Sequence, residues 1–272
     1  MGLLGEGDLV ANTGTGAYII GLSARPIHDP QQRLFCNISA IPGRYVAEAA
    51  IPAAGVVYRW FSDRFYAPSG SGAGEAADRF AEINKEVEAS PPGANGVILL
   101  PYFKGAGAPR WDPSAKGMFW GLGLSTSRGD MARAVLEGIA AEMADDLDLV
   151  EEFAGKKDRI FAAGGLTRFP EFCRILADIF GRTVIGASDS EATSRGAWIS
   201  AACRLGMYPD LATAFAAAAT AATAATAARA PKGAPAGEVV PTYPADPERG
   251  AVYLNLRKKR ERLYRAVAEA GL

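Results

Sequence analysis

The stretch Gly117–Glu137 reads GMFWGLGLSTSRGDMARAVLE and decides the fold class of this chain. Its first half is apolar and rich in glycine, as in a short strand, and a polar turn of serine and threonine follows. Ser127 and Asp130 then form an S-x-x-D capping box, which satisfies backbone amides at a helix start. Apolar residues recur at every fourth position from Met131 to Met143. The stretch therefore predicts a strand, a turn and a long helix in the core of an α/β fold.

The composition is that of an ordinary globular protein. The 272 residues suffice for one large domain or two small ones with a substantial core. A net charge of −1 gives no reason to expect a nucleic-acid partner. The chain has no basic leader and no uninterrupted apolar run of about 18 residues, so we expect neither a signal peptide nor a membrane partner.

The cysteines and the single histidine argue against two kinds of site. Cys36, Cys173 and Cys203 lie far apart and match neither a disulfide framework nor a zinc-site spacing. We therefore expect a cytoplasmic protein with reduced thiols. His28 is the only histidine, which excludes a zinc site built on several histidines, and its neighbours Asp29 and Pro30 favour a surface loop.

Strands and helices alternate along the chain, hairpins first and β–α units afterwards, which favours a mixed sheet flanked by helices. Predicted strands are Leu9–Asn12, Tyr18–Leu22, Leu34–Ser39, Tyr45–Ala50, Val97–Leu100, Arg159–Ala163 and Thr183–Ile185. Predicted helices start at Pro52 and Ser127 or span Glu75–Glu88, Pro170–Phe180, Ser190–Gly206 and Val252–Ala270.

We place a domain over residues 1–210 and a C-terminal extension, packed on that domain or trailing it, over residues 211–272. Leu211–Arg229 is almost all alanine and threonine and predicts a surface helix or a partly disordered segment. The Pro-rich residues Lys232–Pro247 are expected to be extended, and the basic run KKRER of the last helix to form a solvated face.

The common nucleotide fingerprints, Walker A and G-x-G-x-x-G after a strand, are absent. One candidate anion site is the turn Thr13-Gly14-Thr15-Gly16 between two predicted strands. Glycines allow the backbone to present amides to an anion, and the threonines add hydroxyl donors. Taken alone, the residues favour a plain hairpin turn with glycine over an anion site.

A second candidate is the pair Gly164-Gly165 directly after the strand Arg159–Ala163. Bare backbone at such a turn accommodates a planar ligand, whereas the alternative is a simple strand-to-helix turn.

The chain resembles the C-terminal half of the FGGY carbohydrate kinases. Ten positions of the opening stretch fit the second signature of that family: Gly117, Phe119, Gly121, Leu122, Asp130, Met131, Ala134, Val135, Leu136 and Glu137. The loop Pro101–Gly117 resembles the family pattern P-x-x-x-G-x-x-A-P-x-W-D-P. The resemblance implies a ribonuclease H-like (actin-like ATPase) domain.

The resemblance also implies roles for individual residues. The Gly14-Thr15-Gly16 turn would hold the phosphates of ATP, and Gly164-Gly165 would receive the adenosine. Gly55 and Arg59 correspond to positions that line the ATP site, although a surface arginine is an equal alternative. Phe169 stands where some members have a polar residue. Tyr18 corresponds to a sugar-contacting position, or is simply a strand residue.

The implied activity is transfer of the γ-phosphate of ATP, with Mg²⁺, to a hydroxyl of a sugar or polyol, of pentulose or glycerol type. The general base of such kinases lies in an N-terminal half that we do not find here, so we assign no catalytic residue and no metal ligand. Expected partners are the substrate, that upstream half and a second copy in a homodimer. The alternative is a non-enzymatic actin-like module that binds nucleotide and regulates or assembles.

Overall fold

A computed structural model describes residues 7–66, 75–186, 192–218 and 240–271. Its strands are β1 (Asp8–Thr13), β2 (Ala17–Ser23), β3 (Phe35–Ile38), β4 (Tyr45–Ile51), β5 (Ile98–Leu100), β6 (Met118–Trp120), β7 (Arg159–Gly164), β8 (Val184–Gly186) and β9 (Thr242–Tyr243). Seven of them form one sheet in the order β3-β4-β2-β1-β7-β8-β9.

The sheet is mixed, as predicted. β1 pairs antiparallel with β2 and parallel with β7, and β7 continues parallel to β8. Because β1 and β7 run side by side in the same direction, their carboxyl ends meet at one edge, where Thr13 is the register partner of Gly164.

The helices are α1 (Gly55–Phe65), α2 (Glu75–Ala89), α3 (Arg128–Ala154), α4 (Pro170–Phe180), α5 (Ala192–Arg204) and α6 (Pro247–Glu269). Residues 211–218 are also helical. The start predicted for α1 is wrong: the helix begins at Gly55 rather than at Pro52. The predicted cap Ser190 of α5 and residues 219–239 of the Ala-rich and Pro-rich segments lie outside the described residues.

The long helix α3 is the centre of the core, and its predicted capping box is confirmed. The Ser127 side chain accepts from the Asp130 amide, and the Asp130 carboxylate accepts from the Ser127 amide. Val135, Ile139 and Met143 are fully buried between the sheet and the surrounding helices. The apolar period therefore identified the core-facing side of the helix.

The strand before α3 does not belong to the main sheet. β6 pairs with β5 in a separate two-stranded sheet, and Trp120 is exposed. The expectation of a core strand here is therefore wrong, although the strand itself is present. A short apolar run cannot distinguish a strand of a small surface sheet from one in the core.

The end of the chain contributes to the same core. β9 pairs with β8, and Tyr253 of α6 is fully buried. Arg260, inside the KKRER run, is also buried and pairs with Glu142 and Asp145 of α3. A wholly solvated face is therefore wrong for Arg260, because its helix turns that position inward. The domain boundary at residue 210 stays a prediction.

Among the described helices, none is both long and apolar enough to cross a membrane.

Candidate functional site

A cavity of about 620 Å³ opens beside the carboxyl ends of β1 and β7. Ligands of α/β proteins commonly bind outside the carboxyl ends of the strands, and the volume lies within the range of small-molecule sites. The residues that line it are Thr13, Gly14, Thr15, Gly55, Val56, Tyr58, Arg59, Phe80, Asn84, Gly165, Leu166, Arg168 and Phe169.

One wall is the three-residue turn between β1 and β2. Thr13 is fully buried, and its hydroxyl donates to the carbonyl of Ala163 at 3.1 Å, so this hydroxyl already has a partner within the sheet. Thr15 is exposed. The sequence predicted two hydroxyl donors here, and the structure leaves the Thr15 hydroxyl as the accessible one.

The turn is fixed against the start of α1. The amide of Gly55 donates to the carbonyl of Gly14 at 3.1 Å, and the amide of Val56 donates to the carbonyl of Thr15 at 3.3 Å. In a trans peptide the N–H points opposite to the preceding carbonyl. The amides of Thr15 and Gly16 therefore point away from α1, and neither donates to another backbone atom within the described ranges.

Glycine is required at the tightest contacts of this wall. A Cβ on Gly16 would lie 2.4 Å from the carbonyl oxygen of Ile51, and one on Gly164 would lie 2.2 Å from that of Thr13. Gly164 also has a φ of +97°, a conformation that glycine adopts without strain. A Cβ on Gly165, by contrast, would meet no atom within 4 Å, so this residue presents bare backbone to open space.

Two exposed arginines, Arg59 of α1 and Arg168 after β7, contribute positive charge to the lining. Neither forms an ion pair with any residue that the structure describes. Guanidinium groups bind carboxylates and phosphates through paired N–H donors. The cavity therefore favours an anionic ligand.

The rest of the lining is mainly apolar. Val56, Phe80, Leu166 and the largely buried Phe169 contribute hydrocarbon and aromatic surface. The rings of Tyr58 and Phe80 lie 5.9 Å apart, centre to centre. This surface suits a planar, largely apolar ring system.

Comparison with known proteins gives the family. Residues 9–205 match the profile described as the FGGY family of carbohydrate kinases, C-terminal domain.

The chain belongs to this family.

Relatives and solved structures agree with the assignment. A gluconokinase from Bacillus licheniformis is 31% identical over 205 residues, which are 75% of this chain and 39% of the relative. A glycerol kinase from Alkalilimnicola ehrlichii is 33% identical over 200 residues, 71% of this chain and 38% of the relative. The crystal structure of xylulose kinase from Rhodospirillum rubrum is 26% identical with a TM-score of 0.77, covering 98% of this chain and 49% of that one.

Two facts follow from these comparisons. The predicted ribonuclease H-like, actin-like fold of an FGGY kinase domain is confirmed. The chain spans about two fifths of the length of the curated relatives that it matches.

The ten residues predicted as this FGGY domain's site do not all lie together. The cavity brings together Thr13, Gly14, Thr15, Gly55, Arg59, Gly165 and Phe169. Gly16 and Gly164 support the wall by close packing and are outside the lining. Tyr18 lies on β2 opposite Ala50 and is also outside the lining.

Sequence reasoning missed Val56, Tyr58, Phe80, Asn84, Leu166 and Arg168. The signal for Tyr58 was its position next to Arg59 on the same short helix. Phe80 and Asn84 are four residues apart and thus share one face of α2. Only the packing of α2 against α1 brings that face to the FGGY domain's cavity.

The described residues that line the cavity include no carboxylate. Among the described residues of the whole chain, no group of three or more His, Cys, Asp or Glu side chains is placed to hold a metal ion.

Proposed function

We propose that this chain is the ATP-binding half of a carbohydrate kinase, which transfers the γ-phosphate of ATP to a hydroxyl group of a sugar or polyol. One observation supports the proposal most strongly: Thr15, in the turn between β1 and β2, and Gly165, directly after β7, line a single cavity. FGGY membership and similarity to gluconokinases, glycerol kinases and xylulose kinases give the reaction class.

The cavity lining offers both polar groups and aromatic surface. The outward amides of the hairpin turn, the Thr15 hydroxyl and the guanidinium of Arg59 suit the oxyanions of a triphosphate. Tyr58, Phe80 and Phe169 suit the purine ring, which would lie over the bare backbone of Gly165. ATP, when bound, supplies the phosphoryl group.

Catalysis in phosphoryl transfer is mainly positioning and electrostatic stabilisation. Within this chain, Thr15 and Arg59 would hold the phosphates, while the aromatic residues hold the base and exclude water. A base for the attacking hydroxyl would come from the N-terminal half of the kinase. Because the described cavity wall has no carboxylate, Mg²⁺ that enters with the nucleotide would depend on phosphate oxygens and on groups outside this wall.

The remaining parts of the proposal concern partners and location. The substrate would be a pentulose or a glycerol-like polyol. The N-terminal kinase half would close the cavity, and we keep the homodimer and the cytoplasmic location as predictions.

Calorimetric titration of the chain with ATP and Mg²⁺ tests the nucleotide site. We expect binding by the wild-type chain and affinity about tenfold lower for Thr15→Val, because a charge-assisted hydrogen bond to phosphate is lost. Thr242→Val is the matched control, since Thr242 is exposed on β9 at the far edge of the sheet.

No heat of binding with the folded wild-type chain would contradict the proposal. Equal losses in Thr15→Val and Thr242→Val would also contradict it, because the effect would then not belong to the cavity.

A further inference from the structure

Asn84 is a polar side chain of the cavity lining that the proposed phosphate contacts do not use. Asn84 lies on α2, one turn after Phe80, and is half-buried in the lining. The hydroxyl of Tyr58 donates to its Oδ1 at 2.9 Å. Burial raises the pKa of the Tyr58 hydroxyl, so this group stays protonated at neutral pH.

This hydrogen bond leaves most of the hydrogen-bonding capacity of the amide unused. A side-chain amide has two acceptor lone pairs on its oxygen and two N–H donors on its nitrogen. Tyr58 uses one lone pair of Oδ1. One lone pair and the Nδ2 donors remain, and no hydrogen bond to another residue of the described chain uses Nδ2.

Other lining residues cannot match adenine in this way. Phe169 is apolar, Gly165 has no side chain, and the guanidinium of Arg168 offers donors only. Asn84 is the one side-chain amide in the described lining, and it lies next to the Tyr58–Phe80 ring pair.

We propose that Asn84, which is hydrogen-bonded to Tyr58, selects adenine over guanine in the nucleotide-binding cavity. This inference rests on the proposed function, because it names the base preference of the same site. Nδ2 donates to N7 of adenine, and the free lone pair of Oδ1 accepts from the amino group at C6. Tyr58 is a positioning residue that acts through the Asn84 side chain.

The chemistry of the two purines gives the discrimination. On this edge adenine presents an acceptor and a donor, which match the two ends of an amide. Guanine presents two acceptors, N7 and O6, so its O6 would face Oδ1 with no hydrogen between them. Rotating the amide would present Nδ2 to O6 but Oδ1 to N7, so guanine would gain one hydrogen bond where adenine gains two.

The test is titration of the full chain with ATP, GTP and 7-deaza-ATP, which lacks the acceptor nitrogen at position 7. We expect wild type to bind ATP about tenfold more tightly than either analogue, in the range of a bidentate base contact. Asn84→Ala should bind all three with similar affinity, close to that of wild type for GTP.

Two further variants control for folding and location. The double variant Tyr58→Phe and Asn84→Ala leaves no buried hydroxyl without a partner, and it should show the same loss of discrimination in a well-folded chain. Asn255→Ala makes the same substitution at an exposed helical position of α6. It should retain the full preference of wild type for ATP.

The outcomes separate the inference from the proposed function. Wild type that binds ATP and GTP equally, or an Asn84→Ala variant that keeps the preference, overturns the role of Asn84 and leaves the nucleotide site intact. Wild type that binds none of the three nucleotides overturns the proposed function and the inference with it.

Discussion

The carbonyl oxygen of Gly14 accepts a hydrogen bond from the amide of Gly55 at 3.1 Å, and a Cβ atom on Gly55 would lie 2.3 Å from that same oxygen. Real Cβ atoms do not approach an oxygen so closely. The hairpin turn and the start of α1 can therefore lie this close because residue 55 has no side chain. This contact sets one corner of the proposed nucleotide site.

Replacing Gly55 by alanine should separate the turn from the helix. We expect Gly55→Ala to lower the free energy of unfolding by about 1–3 kcal/mol, as overpacking does, and to weaken ATP binding. Urea denaturation and calorimetry measure the two effects. Gly196→Ala in α5 is the control, because a Cβ at this position meets no atom within 4 Å. This substitution should raise the free energy of unfolding by about 0.5–1 kcal/mol. A Gly55→Ala chain as stable as wild type would contradict the argument.

Thr13 and Thr15 should behave differently when each is replaced by valine. Thr13→Val removes the buried hydrogen bond to the Ala163 carbonyl. It should lower the free energy of unfolding by about 1–3 kcal/mol, because a buried carbonyl loses a donor. Thr15→Val should leave unfolding nearly unchanged, since Thr15 is exposed, and should reduce ATP affinity instead. Similar stability losses in both variants would show that the exposed turn is also part of the folding core.

Asp146 should make the stability of the chain fall as the pH rises above about 4. Its carboxyl is fully buried, and neither oxygen has a hydrogen-bond partner in the described part of the chain. Burial raises the pKa of Asp146, the charges of Glu142 and Asp145 raise it further, and Arg110 and Arg260 oppose them.

The folded state holds this proton more tightly than the unfolded state does. At pH values below the unfolded pKa the carboxyl is protonated in both states, so its ionisation does not lower the free energy of unfolding. The cost grows as the pH rises towards the folded pKa, by up to about 1.4 kcal/mol per pH unit. Asp146→Asn should therefore gain stability relative to wild type between pH 4 and pH 7. Denaturation curves at several pH values measure this difference. Asp158→Asn, at an exposed position, is the control, and a pH-independent difference for Asp146→Asn would refute the prediction.

Arg260 should be essential to the packing of α6. It is buried against Glu142 and Asp145, and Tyr102 also contacts its guanidinium. Arg260→Met removes one of the cations that pair with these carboxylates, so we expect the free energy of unfolding to fall by about 3–5 kcal/mol. Thermal unfolding measures the loss. Lys259→Met changes an exposed neighbour on the same helix and should have little effect. Equal melting temperatures for the two variants would contradict a structural role for the buried pair.

The isolated chain should not phosphorylate sugars at a steady rate. It spans about two fifths of its curated relatives, and the described cavity wall has no carboxylate to serve as a base. A coupled assay with ATP and glycerol or xylulose measures turnover, with a complete kinase of the family as the positive control. Steady turnover by this chain alone would contradict our proposal that this chain binds ATP and that the N-terminal half supplies the general base.

The sequence by itself determined the local elements. The helix α4 has the predicted bounds Pro170–Phe180, because proline fits the first helical turn and Gly181 supplies the left-handed end. The capping box of α3 could also be predicted from the sequence, because its hydrogen bonds join residues that are three positions apart. The family signature and the glycines of both turns were also visible in the order of residues.

Tertiary structure alone decided which of these elements meet. Whether β6 pairs with β5 or joins the main sheet, and whether Arg260 faces water or Glu142, depends on partners outside the local sequence. The same is true of Asn84, which faces the cavity because α2 packs beside Tyr58 of α1. Hydrogen bonds between near neighbours leave a pattern in the sequence, whereas contacts between distant segments depend on how the whole core packs.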